Sequence, residues 1–151
     1  MDFEGGLPES TSATTFGGRR APAQIQPATA FSSPSEQWAD LVADRLVRLA
    51  RLEPGWDGHC ASPISRTIID YVCNLLPRIM ALGLPAPFIA PLPFGGLQLE
   101  WHRNNWDLEI EIHAPSRLYA YSCEVATGIE SEMELRDDLA KLTPVLKVIR
   151  G

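Results

Sequence analysis

Two hydrophobic periods divide the chain. From Trp38 onward the large apolar residues Trp38, Leu41, Val42, Leu46, Leu49 and Leu52 recur every three or four positions, the spacing of one stripe along a helix. Ser33-Pro34-Ser35-Glu36 stands before it as a start signal, with a capping hydroxyl, a proline for the first turn and the acid of a capping box. Pro54-Gly55 should end this helix. Arg45, Arg48 and Arg51 fall mostly off the stripe, and the last two suit the negative end of the helix dipole. A second helix is predicted after Ser65, a candidate cap, with Ile68, Ile69, Val72, Leu75, Leu76, Ile79 and Met80 as a broad buried face. Pro77 should kink it or end its regular part near Leu76, and Gly83 should stop what remains.

The period then changes to two. Four prolines crowd Phe88-Ile89-Ala90, and proline lacks the ladder donor, so this stretch reads as an edge strand or extended arm. After the turn Phe94-Gly95-Gly96, Leu97, Leu99 and Trp101 alternate with Gln98, Glu100 and His102. Asn104-Asn105 is a hairpin turn, because Asn tolerates positive φ. Beyond it Leu108, Ile110 and Ile112 alternate with Asp107, Glu109, Glu111 and His113. Turns at 114–117 and 125–128 separate further strands over Leu118–Glu124 and Ile129–Glu134. Residues 137–149 read as a short closing helix interrupted at Pro144. The predicted class is α+β, with two N-terminal helices packed on one face of a four- to five-stranded antiparallel meander and a short C-terminal helix.

Placing the turn at Asn104-Asn105 fixes a register. Trp101 then faces Leu108, Leu99 faces Ile110 and Leu97 faces Ile112, which makes one face wholly apolar. The other face sets His102 against Asp107, Glu100 against Glu109 and Gln98 against Glu111. Two carboxylates directly across a strand pair repel by roughly a few tenths of a kcal/mol when solvated.

Composition adds a boundary. Gly, Pro, Ser, Thr and Ala fill 21 of the first 34 positions, too little apolar surface to offset ordering entropy, so residues 1–34 read as a disordered tail and 35–151 as a single domain. The 151-residue chain carries a net charge of -6, which argues against direct nucleic-acid binding. That charge is concentrated: residues 97–135 hold eight acids and two bases, and the remainder is neutral on balance. No apolar run reaches membrane length and the first residues lack the pattern of a signal peptide, so a cytoplasmic location is expected. The three cysteines, Cys60, Cys73 and Cys123, form no C-x-x-C pair, and Cys73 reads as a small buried helix residue.

Candidate chemistry lies in two places. The acidic strand face of Gln98, Glu100, His102, Asp107, Glu109 and Glu111 is either a plain solvated surface or a docking surface for a basic protein. A metal or acid–base site would draw on Glu100, His102, Asp107, Glu109 and His113, but the two histidines sit toward opposite ends of their strands. The second place is Gly55-Trp56-Asp57-Gly58-His59-Cys60. Trp56 reads as a plug between sheet and helix and Asp57 as an acceptor for its own downstream amides, with a ligand pocket using His59 as the alternative. The loop has no phosphate-cradle spacing. No cofactor and no metal are expected.

Trp56-Asp57-Gly58 with Ala61, Pro63 and Ser65, followed by Pro91 and Gly95-Gly96-Leu97-Gln98-Leu99-Glu100-Trp101, resembles a widespread family of small uncharacterised bacterial proteins. Those proteins share a GWDG-x-x-A-x-P loop and a GG-x-x-LEW hairpin strand, and the likeness spans roughly residues 36–135. It implies a bacterial source and a mobile element, and it brings no catalytic residues. The leading expectation is a non-enzymatic module that binds a protein partner, of the antitoxin, immunity or phage-inhibitor kind. The alternative is a hydrolase-type enzyme, metal-assisted or not, using His102 and Asp107 or His59 and Cys60.

Overall fold

A computed structural model of the chain describes residues 34–151, with side chains from Trp38 onward. Of the tail read over 1–34, residues 1–33 lie outside the described residues, as do the capping Ser33 and the side chain of Glu36, while Pro34 opens the first helix. Two helices, α1 (Pro34–Leu49) and α2 (Arg66–Met80), precede five strands: β1 (Phe88–Pro91), β2 (Leu97–Arg103), β3 (Trp106–Ala114), β4 (Arg117–Glu124) and β5 (Ile129–Glu134). A 3-10 turn (Leu139–Leu142) and α3 (Thr143–Arg150) close the chain. The sheet is an antiparallel meander in the order β1-β2-β3-β4-β5, so the fold is α+β.

The expected β2–β3 register holds at every pair from Leu97↔Ile112 to Arg103↔Trp106. Asn104 and Asn105 both take positive φ, 52° and 63°, which gives the turn the twist that a two-residue hairpin needs. Asn104 does more than turn. Its Nδ2 donates to Val148 O at 3.0 Å and Ile149 O at 3.1 Å, satisfying carbonyls left open at the end of α3.

One sheet face is dry. Leu97, Leu99, Leu108, Ile110, Ile112 and Leu118 are fully buried beneath α1, α2 and α3. The helices contribute Val42, Leu46 and Leu49, then Val72, Leu75, Leu76 and Ile79, then Val145, Leu146 and Ile149. Trp101 closes one side of this core with its Nε1 donating to Pro85 O at 2.8 Å. Truncating a residue such as Ile110 to Ala should cost about 2–5 kcal/mol.

Several helix details differ from the sequence reading. α1 ends at Leu49, before Pro54, and Leu41 is 69% exposed. The buried stripe is the narrower set Val42, Leu46 and Leu49. Arg45 lies beside it and donates from Nε to Ile89 O at 2.9 Å, so α1 meets the sheet edge through a guanidinium. α2 starts on Ser65, whose side chain accepts from Ile68 N, and runs through Pro77 to Met80. Burial of Leu76 and Ile79 on either side of the proline holds that last turn in place. Cys73 is exposed, because it falls off the face formed by Val72, Leu75 and Leu76. The closing stretch is broken next to Pro144, as expected: the 3-10 turn gives way to α3 at Thr143, and Pro144 sits in the first turn of α3, where its missing N–H costs nothing.

Candidate functional site

The uncovered sheet face is the candidate site. Strand alternation and the observed registers arrange its side chains in cross-strand rows. One row runs Phe88, Glu100, Glu109, Tyr121, Glu132; the next runs Ala90, Gln98, Glu111, Tyr119, Glu134; a third runs His102, Asp107, Cys123, Glu130. Seven of the eight acids of residues 97–135 therefore share this face: Glu100, Asp107, Glu109, Glu111, Glu130, Glu132 and Glu134. Strands lie about 4.8 Å apart and alternate residues about 7 Å apart, so each tyrosine stands between carboxylates on both sides. Glu109, Glu111, Tyr119, Tyr121 and Glu132 line a shallow open depression of about 250 Å³.

All six acidic-face residues named from sequence, Gln98, Glu100, His102, Asp107, Glu109 and Glu111, lie on this surface. Sequence reasoning missed its other half. Tyr119 and Tyr121 alternate with buried Leu118 and Ala120, and Glu130, Glu132 and Glu134 alternate along β5. The alternation along β4 and β5 was a signal, but the register arithmetic that works at Asn104-Asn105 fails at 115–116. Pairing Ala114 with Arg117 would set Ile112 against Tyr119, and the irregularity at His113 is what returns Ile112 to Leu118.

The electrostatics follow from crowding. Partial burial, and then the Glu100 carboxylate across the strand pair, hold Glu109 above the usual carboxylate range. His102 offsets part of this charge. Its Nδ1 lies 2.8 Å from Asp107 Oδ1 and its Nε2 3.5 Å from Glu100 Oε2. The hydrogen bond to Asp107, foremost, raises the His102 pKa. Tyr121 is raised first by its hydrogen bond to Glu130, and the Tyr119 hydroxyl, first, holds Arg117 above its ordinary value at the end of the sheet.

The two histidines do not converge. His113 sits at the β3 irregularity between Ile112 and Ala114, with Nε2 2.7 Å from Glu111 Oε2. Its ring packs between Phe94 at 4.5 Å and Tyr119 at 4.8 Å. Among the described residues no group of three or more His, Cys, Asp or Glu is placed to hold a metal ion. No hydroxyl or thiol among the described residues is bonded to the His102–Asp107 couple, so these residues do not form the geometry of an activated nucleophile there.

The loop at 55–63 is a folded brace. Gly55 and Gly58 take φ of 77° and 82°. Asp57 Oδ1 accepts from His59 N at 2.9 Å and Ala61 N at 3.2 Å, as its sequence suggests. Trp56 is half-buried and stays outside the core, contrary to its reading as a sheet–helix plug. Its Nε1 donates to Ser62 O at 3.0 Å, closing the loop on itself. The reason is length: with Gly55 N bonded to Ala61 O at 2.8 Å, the loop is too tight for the indole to reach the core. His59 and Cys60 are exposed. The brace also reaches the β1–β2 turn. Ser62 N donates to Pro93 O at 2.8 Å, and a Cβ on Gly95 would lie 2.9 Å from Pro63 O.

A second polar cluster escaped the sequence reading. Asp137 Oδ1 accepts from Tyr71 Oη at 2.6 Å and its Oδ2 from Ser116 Oγ, so one carboxylate ties α2 to the β3–β4 turn. Ser116 and then Tyr71 lower the Asp137 pKa, while burial, and then Asp137, push Tyr71 up to about 12. The three side chains form a clasp between elements. No protein-family model, curated protein or solved structure matches the chain. Among the described residues no helix is long and apolar enough to cross a membrane.

Proposed function

We propose that this chain is a small, non-enzymatic bacterial module that binds a basic protein partner through its open sheet face, in the manner of an antitoxin, immunity protein or phage-encoded inhibitor. One observation carries the reading: seven carboxylates and two tyrosines occupy a single face, and the basic groups His102, His113, Arg117 and Arg136 are fewer than the carboxylates they meet. Such a field speeds and orients the approach of a positively charged surface. Tyrosines among the carboxylates add rigid amphipathic area, which suits a contact surface. The raised Glu109 pKa supports the same reading, because a partner cation in the row would relieve the repulsion responsible for part of it.

The test is capture of partners on immobilised protein. A basic partner should be retained at low salt and released as ionic strength rises. Glu100→Lys combined with Glu109→Lys should weaken retention by at least about tenfold, a loss of roughly 1.4 kcal/mol or more. Retention unchanged by that charge reversal would remove the face from the function.

A further inference from the structure

β5 is an edge strand, and its outer main-chain groups are identifiable. Leu135 N donates to Leu118 O at 2.9 Å, continuing the register in which Tyr119 faces Glu134. Bonded and non-bonded pairs alternate along an antiparallel ladder. Met133 and Ser131 therefore turn their main-chain groups toward β4, and Glu130, Glu132 and Glu134 turn theirs outward. Lys141 Nζ lies where this predicts, donating to Glu134 O at 2.9 Å. Among the described residues nothing else caps the outer edge at Glu130 or Glu132.

The opposite edge is closed. Arg45 occupies Ile89 O, and Pro87 and Pro91 offer no donor, the usual ways of blunting an edge. β5 is guarded differently. Its glutamates would stand against glutamates if a second copy paired with it, which repels. Its other side presents Ile129, 62% exposed, and half-buried Met133. A strand with basic residues opposite the glutamates and apolar residues over Ile129 and Met133 meets both demands.

We infer that the basic partner supplies an extended segment, Lys or Arg alternating with apolar residues, that adds to the outer edge of β5 as a sixth strand. This rests on the basic-partner reading above and specifies how that partner binds. Its basic side chains extend the carboxylate rows, and its main chain bonds to Glu130 and Glu132.

Amide hydrogen exchange of the full chain, read by NMR, tests this with three ten-residue peptides of equal charge. One alternates Lys and Val, one has the same residues in two blocks, and one alternates but is N-methylated at its lysines. The alternating peptide should slow exchange at the Glu130 and Glu132 amides by at least about tenfold, and the other two should not. Glu132→Pro removes an outward donor without touching the ladder to β4, and it should weaken the alternating peptide more than Glu132→Gln does. Binding of all three peptides alike, with no change at the edge amides, overturns strand addition and leaves the basic-partner reading standing. Failure of every basic peptide to bind overturns both. Slow exchange at these two amides in the free chain would mean that the chain or a second copy already covers the edge, and overturns the proposal.

Discussion

Glu109→Gln should stabilise this protein at neutral pH. Glu109 sits mid-row with Glu100 directly across on one side, Tyr121 on the other, and Asp107 and Glu111 as its neighbours along β3. Burial and then Glu100 raise its pKa. A carboxyl whose folded pKa exceeds its unfolded value binds its proton more tightly when folded. Its ionisation therefore costs stability above the unfolded pKa, and the cost vanishes once both states are protonated. A directly opposed like-charge pair is unfavourable by about 0.2–1 kcal/mol, and partial desolvation adds to it, so the substitution should gain about 0.5–1 kcal/mol at pH 7 and low salt. Urea unfolding followed by tryptophan fluorescence measures this. The gain should fall toward zero below about pH 4, where the carboxyl is protonated in both states. It should also shrink at 1 M salt, where the screening length is about 3 Å. Repeating the substitution on a Glu100→Gln background should recover less. A neutral or destabilising effect at pH 7, or a gain indifferent to both pH and salt, would refute the account of the row.

Three other changes probe separate links in the structure. Asp107→Asn should lower the His102 pKa, since the Asp107 hydrogen bond is its main support. The stability that His102 contributes should be present below about pH 6.5 and lost as pH rises through its folded pKa, and an NMR titration of the ring protons checks both. Tyr71→Phe should cost about 1 kcal/mol by removing the donor to Asp137, and the Asp137 carboxyl should move back up toward its ordinary range. Asn104→Gly keeps a turn that tolerates positive φ but loses the bonds to Val148 O and Ile149 O; exchange protection should fall in α3 and persist in β3.

The β2–β3 hairpin was legible in the sequence to the level of individual cross-strand pairs, and α1 was not legible to the same depth. The difference is physical. Strand alternation has a period of two, so a slip of one residue would expose Leu97, Leu99 and Ile110 together, and only one register survives. A helix stripe tolerates rotation. Leu41 and Leu46 fit a stripe equally well by spacing, but the sheet edge accepts Arg45 at Ile89 O, which turns Leu41 out to solvent. Pro77 shows the same limit, because tertiary burial of Leu76 and Ile79 outweighs a local preference to end the helix. The clasp of Tyr71, Ser116 and Asp137 joins residues from three separate elements, and no local pattern encodes such a meeting. The β5 half of the acidic face was within reach, since β4 carries the same alternation that revealed β2 and β3.

The loop at 55–63 and the turn at 93–96 meet in space, and this bears on which part of the molecule is scaffold. Asp57 and Trp56 tie the first stretch to itself, and Ser62 N and Pro63 O then meet the Pro93–Gly95 turn. At Gly96 a Cβ would come within 2.6 Å of Ile112 O and within 2.5 Å of the Phe94 ring, so the residue entering β2 must be small for β2 to reach β3. Both stretches thus hold the start of β2 against the rest of the fold, which fixes where Gln98 and Glu100 emerge on the open face. Any side chain at Gly55, Gly95 or Gly96 would strain this brace, and Trp56 adds one hydrogen bond that closes it. The open face has no comparable steric demand: its glutamates are unfavourable neighbours in the isolated protein. Residues that cost stability call for an explanation outside the fold, and the positively charged partner proposed above would supply one.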